Sequence, residues 1–167
     1  LAERGRDVAI VGWSYLCLMR VLFSRGDFAD AERLHSKWTR FDRESGIPTW
    51  ITGQLGAWRT RLWLVQGKLE ASSQWALERG LTIDGDLAYL RMIEYVVLAR
   101  LLVAQEHLDE ASRLLERLFA AAKAGGQTTR LIESLLLRAL ASQAGGDTKQ
   151  AMIALERALT LAEPGGF

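Results

Sequence analysis

A helix–turn–helix unit that recurs about every 40 residues constrains this chain more than any other feature. Each unit has two runs with apolar residues at helical spacing, joined by a short turn. One such hairpin cannot cover its own apolar face, so a chain with this period is expected to stack its hairpins. The four turns in register are Arg25-Gly26-Asp27-Phe28, Gln66-Gly67-Lys68-Leu69, Gln105-Glu106-His107-Leu108 and Gly145-Gly146-Asp147-Thr148.

Small side chains recur in register with these turns. Five residues after the second turn residue stand Ala31, Ser72, Ala111 and Ala151. Small residues at such positions let two helices cross closely, and large residues on the other faces fill the space between hairpins. This pattern resembles the tetratricopeptide hairpin, although the period is longer than the usual ~34 residues.

The predicted fold class is therefore all-α. We expect a tetratricopeptide-like right-handed superhelix (α-solenoid) of about four hairpins, and no segment shows the clean alternation of a strand. The chain begins with Leu1 rather than Met, so we expect a fragment of a larger protein. The predicted hairpins form a single domain, 1–167, and lie at about 8–45, 48–80, 86–124 and 128–163.

The composition indicates an ordinary soluble chain. Its formal net charge of +1 argues against a strongly basic nucleic-acid surface over the whole chain. A single cysteine, Cys17, provides no disulfide framework, and we expect it to be a small buried apolar residue in a cytoplasmic protein. We expect no signal peptide and no membrane-spanning helix, since Arg100 interrupts the longest apolar run.

No group of residues indicates catalysis. The two histidines, His35 and His107, lie at different places in the repeat, so structural or solvent-facing roles are expected for both. The sequence contains no metal-ligand spacing and no Gly-x-x-x-x-Gly-Lys-Ser/Thr phosphate loop. We predict a protein that is not an enzyme and has no catalytic residue, metal or cofactor in this segment.

Several segments together resemble a known family, the helical-repeat region of large ATP-dependent, LuxR-type transcriptional activators (the MalT-like family). The resemblance is strongest from Trp75 onward. The segments that carry it are Trp75–Leu81, Tyr89–Arg91 with Glu94 and Tyr95, Leu98–Gln105 with Leu108, Arg113–Leu118 and Leu155–Pro164.

The resemblance implies the sensor and protein-interaction segment of a bacterial transcription factor. In that family a nucleotide-binding switch module precedes the repeats and a helix-turn-helix that binds DNA follows them. Binding of ATP is then expected only in the N-terminal module of the full-length protein. This segment is expected to make no direct contact with nucleic acid and to bind a small-molecule inducer or regulatory protein, and other domains of its own chain.

Arginines recur on the first helix of three repeats, six residues before the second turn residue. They are Arg20, Arg61 and Arg100. The tetratricopeptide resemblance implies that this position faces the concave groove, where guanidinium groups suit carboxylate or phosphate groups. Alternatively, each arginine pairs with a carboxylate of the neighbouring repeat, Glu94 and Glu133 being candidates. Other groove positions predicted in the same way include Trp13, Gln54, Ile93, Val96, Glu133, Leu136 and Gln143.

All six tryptophans lie in the first 75 residues. Trp38, Trp63 and Trp75 are expected in packing positions, whereas Trp13, Trp50 and Trp58 are freer to contact a ligand. Core or interface packing is favoured even for these three. A second hypothesis for the whole chain is a general tetratricopeptide scaffold that binds a partner peptide and is unrelated to transcription.

Overall fold

The computed structural model of the chain describes residues 2–45 and 48–163. The regular structure in these ranges is helical. No strand occurs in these two ranges, so the prediction of an all-α, tetratricopeptide-like helical repeat is confirmed. The elements are α1 (Ala2–Arg25), α2 (Phe28–Ser45), α3 (Thr49–Val65), α4 (Leu69–Glu78), a 3₁₀ turn (Tyr89–Arg91), α5 (Met92–Ala104), α6 (Leu108–Ala124), α7 (Thr128–Ala144) and α8 (Thr148–Ala162).

The chain divides into two compact units, Leu1–Ala71 (unit 1) and Ser72–Phe167 (unit 2). In unit 1, α1 packs against α2 and α3, and α2 packs against α3. In unit 2, α5 packs against α6 and α7, α6 packs against α7, and α7 packs against α8. That the hairpins form a single domain of a larger protein stays a prediction.

The turn inside each hairpin closes by the same pair of backbone hydrogen bonds. After α1, the amide of Asp27 donates to the carbonyl of Leu22 (2.9 Å) and that of Gly26 to the carbonyl of Phe23 (3.1 Å). This arrangement needs a left-handed residue at the turn, which glycine adopts without steric cost. Gly26 has a φ of 75°, and Glu106 takes the same conformation at 61° although it carries a side chain.

The small residue predicted in each returning helix is buried, as the pattern requires. Ala31 and Ala111 are fully buried in α2 and α6, and Ser72 and Ala151 are buried at the same register in α4 and α8. Helix α6 ends at the predicted end of the third hairpin and α7 begins at the predicted start of the fourth, whereas α1 begins at Ala2, earlier than the predicted Val8.

The predicted start of the third hairpin at Asp86 is wrong, because residues 82–88 form a loop and α5 begins only at Met92. Long-range contacts hold this loop. Arg117 of α6 donates to the carbonyls of Ile83 and Gly85, the second at 2.8 Å. A Cβ at Gly85 would stand 2.2 Å from the hydroxyl oxygen of Tyr95, so only glycine fits there.

A buried carboxylate lies at the start of α5. Only 2% of the Glu94 side chain is exposed, and it accepts hydrogen bonds from two arginines. Arg79 donates through Nη2 to Oε1 at 2.7 Å, and Arg91 donates through Nη2 to Oε2 at 3.2 Å. Arg91 also donates to the carbonyl of Arg79 (2.9 Å), which ties the end of α4 to the start of α5.

Among the residues that the structure describes, one helix is long and apolar enough to cross a membrane, by length and composition alone. It is Val8–Arg25 of α1, of which 17% is buried. The expectation that the chain has no membrane-spanning helix stays a prediction, because length and composition alone do not identify such a helix. Core helices and signal sequences meet the same criterion. In the structure, α1 buries Leu16 and Met19 against its unit and exposes Ile10 and Val21.

Replacing Glu106 by glycine is expected to stabilise the chain by about 1 kcal/mol, because glycine pays no steric penalty in the left-handed conformation. The free energy of unfolding in urea measures the change. Gly126→Ala is the matched control: Gly126 has a φ of 63° and open space around it, so a loss of about 1 kcal/mol is expected there. Equal stability of E106G and the wild type would contradict this account.

Removing the carboxylate in Glu94→Ala is expected to cost about 1–3 kcal/mol, because two partly exposed arginines lose the hydrogen-bonded charge that joins them. Glu94→Gln, which keeps the shape and part of the hydrogen bonding, should cost less. The same urea measurement applies. Glu116→Ala, at an exposed position on α6, should change stability by less than about 0.5 kcal/mol. A similar, small loss in both alanine variants would refute the assigned role.

Candidate functional site

In unit 2 the first helices of neighbouring hairpins, α5 and α7, lie against each other. The side chains that share this face form what we call the α5–α7 surface. Leu136 and Leu140 are exposed on it, Leu140 by 55%, beside charged and amide groups. An exposed leucine pair next to charged groups can contact a ligand that has both apolar and polar parts. The surface comprises Arg100, Arg130, Glu133, Leu136, Leu140 and Gln143.

An ion cluster lies within the α5–α7 surface. Arg100 of α5 donates through Nη2 to Oε1 of Glu133 at 3.0 Å, and Arg130 donates through Nη1 to Oε2 at 2.9 Å. Only 13% of the Glu133 side chain is exposed, against 28% for Arg100 and 27% for Arg130. The three side chains together carry a formal charge of +1, and Nε of Arg100 is buried without a hydrogen-bond partner. The cluster therefore favours an anionic group at its exposed edge.

The alternative prediction is that the recurring arginines pair with carboxylates of neighbouring repeats. It is correct for Arg100, which pairs with a carboxylate of the next repeat. Glu94, the other candidate carboxylate, accepts from Arg79 and Arg91 instead. Arg91 stands three residues before Glu94, so helical spacing could have indicated it; nothing in the sequence indicates Arg79. The prediction that Ile93 and Val96 face the groove is wrong. Helix α5 is apolar around most of its circumference, and both side chains are buried.

In unit 1, Arg61 lies over aromatic rings. Its guanidinium carbon is 4.3 Å from the ring centroid of Trp58 and 5.3 Å from that of Phe23. Trp58 is buried, as the favoured prediction of core packing has it, because it packs edge-on against Phe23 and beneath Arg61. Cation–π contact of this kind fixes the guanidinium group on the surface of the aromatic cluster.

The other unit 1 candidates are more accessible. Trp13 is 47% exposed, and its ring centroid is 5.7 Å from that of Trp50. Arg20 is exposed and Gln54 half-buried. Arg20 and Arg61 belong to unit 1 and Arg100 to unit 2. A continuous stripe formed by the three arginines therefore stays a prediction.

The open face of α8 forms a shallow apolar groove, lined in part by Met152, Leu155 and Leu159. The same register in α6 is a packing face. Leu115, the counterpart of Leu155, is fully buried in unit 2, where α7 packs against α6. The groove is thus the open version of a face that the preceding repeat uses for helix packing.

The residues with the greatest catalytic potential do not form a site. Within the described parts of the chain, no group of three or more His, Cys, Asp or Glu side chains could hold a metal ion. Cys17 is exposed, contrary to the prediction, because its neighbours Leu16 and Met19 occupy the buried face of α1. Burial, and then the charge of Arg59, lower the pKa of His35 from 6.5 to about 4.

Comparison with known proteins gives one result for the whole chain. A family model described as the MalT-like TPR region matches residues 1–167. Neither a search of curated proteins nor a search of solved structures gave a match.

The pKa of His35 predicts a pH dependence of stability. The folded chain binds the proton only near pH 4, whereas an unfolded chain binds it near 6.5, so the stabilising contribution is complete above pH 6.5. Stability should then fall as the pH decreases from about 6.5 to about 4. Thermal unfolding at pH 7 and pH 5 should show a smaller difference for His35→Gln than for the wild type. His107→Gln, in an exposed turn, is the control that should keep the wild-type difference; identical behaviour of the two variants would overturn the assignment.

Proposed function

Because the chain belongs to the family of MalT-like TPR regions, we propose that it is the sensor and protein-interaction domain of a LuxR-type transcriptional regulator. The family match covers the whole chain, and helical repeats of this kind are scaffold and regulatory folds. In this proposal the chain is cytoplasmic and does no chemistry. ATP binds only to a separate module of the full-length regulator, and DNA is bound elsewhere in that protein.

The inducer or regulatory partner binds the α5–α7 surface. The observation that carries this assignment is the ion cluster of Arg100, Glu133 and Arg130 beside the exposed Leu136 and Leu140. The net positive charge suits an acidic or sugar-like ligand, and the leucines suit its apolar part. Trp13, Gln54, Arg20 and Arg61 would form a corresponding contact surface on unit 1.

Binding changes the activity of the regulator only if its resting and active forms have different affinities for the ligand. The exposed edge of the ion cluster provides a means for such a difference. Glu133 already neutralises one of its two arginines, so an acidic ligand competes with or adds to an existing pair. A change in the packing of α5 on α7 would alter that competition.

A thermal-shift screen of the 167-residue chain against metabolites, sugars and acidic peptides is the first measurement. Leu140→Glu should then abolish binding of any ligand found, and should abolish induction in a reporter assay of the full-length regulator. Leu77→Glu is the matched control, since this leucine is also exposed (74%) on α4, outside the α5–α7 surface, and should leave both readouts unchanged. Equal effects of the two variants, or normal induction with L140E, would rule out the α5–α7 surface.

The second candidate function is a general scaffold that docks a partner peptide and has no link to transcription. The same exposed leucines beside charged groups favour it, because an amphipathic peptide needs both kinds of contact. Reading the gene on either side of this segment separates the two. A nucleotide-binding motif upstream and a helix-turn-helix downstream support the regulator, and their absence supports the scaffold.

A further inference from the structure

A small polar cavity of about 50 Å³ lies between α7 and α8, on side chains that do not belong to the α5–α7 surface. Two arginines line it, Arg138 from α7 and Arg157 from α8. The hydroxyl-bearing Ser142 and the amide-bearing Gln150 complete its polar lining. The remaining lining residues are Leu135, Ile153 and Ala154.

The two arginines differ from the other arginines of unit 2. Arg79, Arg91, Arg100, Arg113 and Arg130 each pair with a carboxylate, and Arg117 with two carbonyls. Among the side chains that the structure describes, no carboxylate oxygen lies within ion-pair distance of Arg138 or Arg157. The cavity is therefore lined by two positive charges, one of them on the exposed Arg157, and an anion bound there would be attracted by both.

The repeat explains why Arg157 holds no loop and is available to bind an anion. It occupies the register of Arg117, which in the preceding hairpin donates to the carbonyls of the long loop before α5. The connection before α7 is a short turn that closes by its own backbone hydrogen bonds, from Gly126 to Lys123 and from Gln127 to Ala122. Arg157 therefore has no such loop to hold, and its guanidinium carbon lies 5.5 Å from the ring centroid of Phe119.

We propose that Arg138 and Arg157 bind a single small oxyanion, a phosphate or carboxylate group, in this cavity. Two guanidinium forks, a hydroxyl and an amide supply the donors that such a group needs. A water molecule takes up about 30 Å³ of liquid, so the cavity holds one group of a few heavy atoms and not a whole metabolite. The rest of a larger ligand would extend into solvent.

The site is separate from the proposed function and does not depend on it. Helix α7 carries Glu133 and Leu140 on the α5–α7 surface and Arg138 at the cavity, and a bound anion would link α7 to α8 through Arg138 and Arg157. If no ligand binds the α5–α7 surface, anion binding in the cavity can still be measured, and the reverse also holds.

The test is an NMR titration of the 167-residue chain with inorganic phosphate at constant pH and ionic strength, observing the arginine Nε–H signals. We expect saturable shifts of the Arg138 and Arg157 signals, and we expect no saturable response in the double variant R138Q/R157Q. Arg113→Gln, which removes an exposed arginine of α6, is the control and should keep the response.

Parallel titrations with methyl phosphate and acetate assign the oxyanion class. Saturation by methyl phosphate alone identifies phosphate groups, by acetate alone carboxylate groups, and by both an oxyanion site without discrimination. The proposal is overturned if the shifts grow linearly at every arginine, or if the double variant responds as the wild type does.

Discussion

The packing of α1 on α2, of α5 on α6 and of α7 on α8 depends on a small side chain in the returning helix. Ala31, Ser72, Ala111 and Ala151 are buried at the same register. A larger residue there would force the helices apart or push side chains out of their preferred rotamers, at a cost of about 1–3 kcal/mol. The leucines on the other faces of the helices can fill the space between hairpins only while that crossing is kept.

Local chemistry explains how much of the fold could be predicted. The turns, the end of α6 and the start of α7 follow from left-handed turn residues and helical spacing, which are properties of short segments. The start of α5 could not be predicted in this way. It follows the loop 82–88, which is held by Arg117, more than 30 residues from Ile83 and Gly85, and by the hydroxyl of Tyr95 against Gly85. These contacts join residues that are far apart in the sequence, so the spacing of residues does not indicate them.

The candidate site shows the same limit. The sequence offers Glu94 and Glu133 as alternative partners for the recurring arginines, and the structure pairs Arg100 with Glu133. The exposure of Cys17 was not predicted, since it depends on which neighbouring residues occupy the core face of α1. The cavity at Arg138 and Arg157 could be found only in the structure. Its two positive charges are notable because no carboxylate among the described side chains lies within ion-pair distance of either arginine.

The uneven placement of the tryptophans gives the chain a built-in reporter. Five of the six lie in unit 1, and Trp75 is the one in unit 2. Intrinsic fluorescence therefore follows mainly the first unit, whereas far-ultraviolet circular dichroism follows helices in both. If the two signals change at different denaturant concentrations, the units unfold separately. Coincident curves would mean that one cooperative transition joins them, so the spectra distinguish one folding domain from two without any change to the sequence.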